Sequence, residues 1–206
     1  MQNKQVKGFT LIELLIVIGI IAILATVVIL TLNPAELLRQ SRDTTRFSDL
    51  STLNSAIALY LSDVPAAYLG TSTTWCFTSL DASSTLGTAG NQCGFRFPSL
   101  GAGAATVGAT TSRAINGTGW IPIDFTKIST GSPLPQLPVD PVVPNTFGPT
   151  VTTTSDDFYY AYMTGTNNTY EVNTRIESQK FSSSSVNDGG NSVTLYEVGT
   201  NPGLAL

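Results

Sequence analysis

One carboxylate, Glu13, stands near the start of an apolar run, Phe9 to Leu32, that holds no other charge. An ionised side chain inside hydrocarbon costs at least about 2.5 kcal/mol unless a partner answers it, so Glu13 asks for a cation. Just upstream, Met1 to Gly8 (MQNKQVKG) is polar, carries Lys4 and Lys7, and is too short to fold by itself. It reads as a leader to be removed. Cleavage between Gly8 and Phe9 would free an α-amino group one helical turn ahead of Glu13, where amine and carboxylate can neutralise one another within a chain or between neighbouring chains. A secretory signal is cut after its apolar region; this cut falls before it and leaves the helix on the mature chain. The alternatives are a plain signal anchor that happens to carry a glutamate, and a Glu13 that snorkels to the bilayer edge.

Other reactive arrangements are sparse. The chain has no histidine to act as a base, and it shows no G-x-S-x-G elbow, phosphate-binding glycine loop or paired-acid motif. No catalytic residue and no enzymatic activity are expected. Asp156-Asp157 is an acid pair, but neighbours on a strand point to opposite faces, so it reads as a turn or strand-start feature. Cys76 and Cys93 are the only cysteines. Outside the cytoplasm a disulfide between them is expected, adding about 3 kcal/mol by closing the loop, with two buried free thiols as the alternative. The C-x2-C spacing of a zinc site is missing. Asn116-Gly117-Thr118 and Asn167-Asn168-Thr169 fit the glycosylation sequon, which turn-forming asparagines explain as well. The net charge of −4 becomes −6 once Lys4 and Lys7 leave, with 8 basic against 14 acidic side chains, and that balance leaves no footprint for nucleic acid.

These residues need elements to position them. Residues 9–32 supply the roughly 20 apolar positions of a membrane span, and the basic leader keeps the N-terminus cytoplasmic, with everything after Leu32 outside. Arg39, Arg42 and Arg46 run against that rule. Glu36, Asp43 and Asp49 interleave with them at helical spacing, so the set reads as a solvated helix face, with pairing between subunits as the alternative. Asn33-Pro34 should kink the helix, and Asn33 could also cap a second one beginning at Pro34. Beyond it Phe47, Leu50, Leu53, Ile57, Tyr60 and Leu61 recur at three- and four-residue steps, an amphipathic continuation over residues 33–62.

Residues 63–206 then form a β-rich head with long loops. Residues 66–119, rich in Ala, Gly, Ser and Thr, predict loops and short strands. Trp120 to Phe125 alternates apolar residues and predicts an edge strand, and Ser132 to Pro149, with six of the eleven prolines, predicts an extended connection. Asp157–Met163 and Thr169–Ile176 flank a turn as a hairpin, and Ser192–Val198 supplies a third strand. The resulting class is α+β: a long bent N-terminal helix, packed through its second half on a small antiparallel sheet.

Lys7-Gly8-Phe9-Thr10-Leu11-Ile12-Glu13, followed by the apolar helix, resembles the class III leader of type IV prepilins and of the pseudopilins of type II secretion. The resemblance covers about residues 4 to 62. It implies a pilin-like fold, cleavage after Gly8 by a membrane prepilin peptidase, N-methylation of Phe9, and a Glu13 that guides each subunit into a fibre. The role implied is a structural subunit of a type IV pilus-like filament, a homopolymer raised by an assembly platform. The chain would pass from a single-pass form in the inner membrane, solvated by lipid, to the cell surface. Leu137-Pro138-Val139-Asp140-Pro141 looks like the LPxDP segment of major pseudopilins, which leads into a calcium-binding loop in that group. Asp140, Asp156, Asp157 and Asp188 are the oxygen ligands on offer here, with no fixed spacing to tie them together; no other cofactor is expected. A pseudopilin of a secretion or DNA-uptake system is the closer alternative, and a single-span anchored protein whose head captures a glycan or surface is the more distant one.

Overall fold

The computed structural model describes residues 8–70, 76–80, 96–97, 112–142 and 158–203. Lys4, Lys7, Cys93, Asp156 and Asp157 lie outside the described residues, as do much of the 66–119 stretch and residues 143–149 of the proline-rich connection. The chain divides into two compact units, Met1–Arg39 and Gln40–Leu206.

In the first unit, α1 (Leu11–Leu32) starts two residues later than expected because Thr10 caps it. Its Thr26 and Thr31 hydroxyls donate back to the carbonyls of Ala22 and Val27 at 2.8 and 3.0 Å, so neither is left bare on an apolar surface. The helix ends at Asn33, whose backbone is left-handed (φ 39°, ψ 73°), a conformation asparagine tolerates better than most residues. The second helix, α2 (Pro34–Asp63), opens on a proline that has no N–H to leave unpaired, while Asn33 Oδ1 accepts the Glu36 N–H at 3.4 Å. The expected cap of a second helix at Asn33 forms. Glu36 and Arg39 pair across one turn at 3.7 Å.

In the second unit, the expected stripe of α2 is buried at Leu50, Leu53, Ile57 and Tyr60 and half-buried at Phe47 and Leu61, and Ala56 is buried with it. Four antiparallel strands, β1 (Cys76–Thr78), β2 (Ala161–Thr164), β3 (Tyr170–Arg175) and β4 (Leu195–Gly199), lie in sequential order. The β2–β3 hairpin forms where its turn residues place it, with Asn167 and Asn168 both at φ 57°. Side chains alternate across a strand, and both faces are used. Tyr160, Tyr162, Tyr170 and Val172 pack with the α2 stripe, Trp120 and Leu137. Tyr159, Ala161 and Met163 join Cys76, Leu80 and Phe97 in a second cluster.

Trp120 to Phe125 is not the edge strand its alternation suggested. Trp120 and Ile121 are both fully buried, which a strand buried on one face would not allow, and Pro122 has no ladder donor. Asp124 instead bridges to Asn116 and opens a 3-10 turn, Phe125–Lys127, by accepting the Thr126 N–H at 3.1 Å.

The tyrosines of the inner face carry hydroxyls that need partners once buried. Tyr160 donates to Asp49 Oδ2 and Tyr170 to Asn54 Oδ1, each at 2.7 Å. Tyr162 donates to the Leu69 carbonyl at 2.7 Å. Burial, and after it the Asp49 charge, raises the Tyr160 pKa; burial likewise raises that of Asp49 against the opposing Tyr160 bond.

Candidate functional site: the capped start of the apolar helix

Gly8 and Phe9 precede α1 as exposed, non-helical backbone, and Phe9 is 87% exposed. A Cβ at Gly8 would meet nothing within 4 Å. Glu13 is answered, though not by a cation. Its Oε2 accepts the Thr10 N–H at 2.8 Å and the Thr10 hydroxyl at 2.7 Å, while Thr10 Oγ1 accepts the Glu13 N–H at 3.3 Å. This is a capping box, in which cap and third residue each satisfy the other's free N–H. The T-x-x-E spacing that announces it stands in the sequence, but reading Glu13 only as a charge in hydrocarbon hides Thr10. Cleavage after Gly8 would place an ammonium on the residue next to Thr10, toward which the Glu13 carboxylate is already turned. The remainder of α1 offers no chemistry: Leu11–Ile29 is long and apolar enough to cross a membrane, and none of it is buried.

The charges of α2 required correction. Asp43 and Arg46, expected on a solvated face, are both 0% exposed. Arg46 Nε and Nη2 hold Asp140 in a two-pronged pair at 2.7 and 2.9 Å, and Nη1 reaches Asp43 at 2.6 Å. Asp43 also accepts the backbone N–H groups of Glu177 and Ser178. Arg42 pairs with Glu177, and the Arg46 guanidinium lies 4.5 Å from the Phe158 ring centre. Burial alone would lower the Arg46 pKa; the bonds and charges of Asp140 and Asp43 outweigh it and raise it. The Arg42 bond, foremost, holds the Glu177 carboxyl below its usual range against the opposing effect of burial. Helical spacing showed which charges neighbour each other along α2 and gave no sign of partners some 94 and 135 residues away.

Leu137-Pro138-Val139-Asp140-Pro141 is thus a strap in the head. Asp140 pairs with Arg46, the Pro138 carbonyl accepts the Trp120 indole N–H at 2.9 Å, and Leu137 exchanges backbone and side-chain bonds with Arg113. Of the four calcium candidates, Asp140 and Asp188 are described. Asp140 gives both oxygens to Arg46, and Asp188 accepts the backbone N–H groups of Gly190 and Glu197. Among the described residues no group of three or more His, Cys, Asp or Glu side chains could hold a metal ion. Cys76 is disulfide-bonded. Asn116 uses its side-chain oxygen within a turn, accepting from Thr118.

An apolar N-terminal helix, a long second helix and a four-stranded antiparallel sheet make an α+β, pilin-like arrangement. Residues 3–29 match the family model described as the prokaryotic N-terminal methylation motif, the class III leader of type IV prepilins and pseudopilins. No curated protein and no solved structure matches the chain. The motif supports a member of the type IV pilin and pseudopilin group, in which such a leader implies processing by a prepilin peptidase, membrane anchoring and assembly.

Proposed function

We propose that this chain is a structural subunit of a type IV pilus-like filament, cut after Gly8, N-methylated at Phe9 and polymerised through α1. In this reading residues 1–8 are the leader, 9–32 the membrane and assembly helix, 33–62 its amphipathic continuation and 63–206 the head. The observation that carries it is a methylation motif laid over a helix whose apolar side chains are unburied on every side. Such a helix is solvated by lipid before assembly and by sister helices afterwards. Glu13, bonded to Thr10 in the uncut chain, would then exchange that bond for the Phe9 ammonium of an adjacent subunit, a charge-assisted and stronger contact. The role is mechanical rather than catalytic and uses no cofactor.

A pseudopilin is the second reading, favoured by the Leu137–Pro141 strap and its buried Asp140. Intact mass spectrometry of protein sheared from the cell surface tests the main one. A chain beginning at N-methyl-Phe9 within long filaments is expected; processed chains without filaments would favour the pseudopilin, and a chain still beginning at Met1 in the membrane would overturn both. Glu13→Ala should insert normally and give few filaments, and abundant filaments from it would refute the role assigned to that carboxylate.

A further inference from the structure

The face of β3 and β4 turned away from α2 carries two acids that packing does not call for. Glu171 and Glu197 are 1% and 2% exposed. Asn173 is the register partner of Glu197, and alternate residues share a face, so Glu171 is a diagonal neighbour of Glu197 on the same side. Glu171 stands close enough to Glu197 for its charge to raise the proton affinity of that carboxyl. Carboxylates offer only lone pairs, so a bond between them needs one proton.

The surroundings hold both groups in place from the C-terminal side. Glu171 accepts from Asn173 Nδ2 at 2.8 Å and from the Gly203 N–H at 3.0 Å. Glu197 accepts the Ser192 N–H at 2.8 Å, and its own N–H donates to Asp188 at 2.7 Å. Gly190 lies so close over the pair that a Cβ there would collide with Glu197 Oε2. Residues 188–192 and 203 therefore roof the two acids.

We propose that Glu171 and Glu197 share a single proton, and that this proton latches the segment 188–203 onto the sheet, so that the segment opens more readily when the proton is withdrawn. Among the described residues of the sheet, the charged groups around Glu197 are Glu171 and, at the other diagonal of β3, Arg175, which lines a groove with Ile176 and Ser182. Asp188 faces it from the roofing loop. Arg96, whose carbonyl accepts from Asn173, keeps its guanidinium 4.0 Å from the Tyr159 ring centre. Burial, above all, pushes the Glu197 carboxyl up to about 8; the Ser192 N–H opposes this, and the Glu171 and Asp188 charges add to it. The closed segment thus keeps a proton that the opened one gives up from the ordinary value of 4.5 upward. Its stability is fully present below that value, falls as pH rises to about 8, and is level beyond.

Hydrogen exchange of the full chain in detergent micelles, corrected for intrinsic rates, reads this directly. The opening constant of the amides of residues 195–199 should rise by up to about tenfold per pH unit between about pH 5 and 8 and then flatten. The β2–β3 amides serve as the reference. Glu197→Gln and Glu171→Gln should each abolish the slope, since an amide donates permanently to the remaining carboxylate. A slope absent from the wild type, or unchanged in both variants, overturns the proposal. If either variant fails to fold, carbon NMR of the wild-type Glu197 carboxyl decides, and titration at the ordinary glutamate value would be fatal to the shared proton.

Discussion

Leu11–Ile29 and Leu50–Tyr60 are both helical and both rich in apolar side chains, yet the first buries none of its residues and the second buries its whole stripe. The difference lies in how the apolar residues are distributed around each axis. A helix that is apolar on every side has no single face to offer a sheet and needs a solvent or a ring of like helices; a striped helix needs one partner surface. Polar groups follow the same division. Thr10, Thr26 and Thr31 bond within a turn of themselves, whereas Arg42, Arg46 and Asp63 find partners 66 to 135 residues away. The first region satisfies itself locally and leaves its surface for others. The second closes on its own chain.

Three perturbations separate the two regions. The largest effect should come from the buried ions. Arg46→Ala strands Asp43 and Asp140 without their counter-charge and should destabilise the head by about 3 to 5 kcal/mol, read as a loss of melting temperature in detergent; a change under about 1 kcal/mol would mean that water reaches the cluster. Next, Leu53→Ala should cost about 2 to 5 kcal/mol by the cavity it leaves, while Val17→Ala in α1 should leave the melting of the head unchanged. Equal losses from the two would erase the distinction. The smallest effect is acid sensitivity. Because Arg42 holds the folded Glu177 below its usual 4.5, that pair's contribution is present above pH 4.5 and lost as pH falls through the folded value. Glu177→Gln should therefore show a shallower loss of stability with acid than the wild type, and parallel curves would remove Glu177 from the account.

Much of this was legible in the sequence, and the exceptions share a cause. Periodicity gave the α2 stripe, because burial repeats every three to four residues, and Asn167-Asn168 between two β-branched and aromatic runs gave the hairpin. The same logic failed at Trp120–Phe125, where buried residues come from an irregular segment wedged into the core, and alternation imitates a strand. Arg42, Asp43 and Arg46 looked solvated because local spacing contains no information about Asp140 or Glu177. Thr10 was the one omission with a signal in plain view. Motif, span and carboxylate identified the start of α1; the hydroxyl that answers Glu13 needed only the cap spacing to be read alongside them.

The bonds joining α2 to the rest of the head have a mechanical meaning. Arg46, Asp49, Asn54 and Asp63 each hold a different segment, the strap, Tyr160 just ahead of β2, β3 and the turn at Ser129, and they are spread over roughly five helical turns. A pull along the helix axis would load these anchors in parallel, each resisting the same slip, and none could fail by a slide of one residue without straining the others. Such an arrangement resists shear far better than peeling, as a riveted seam outlasts a zipped one, and a head built this way can pass tension from α2 into its sheet without unravelling.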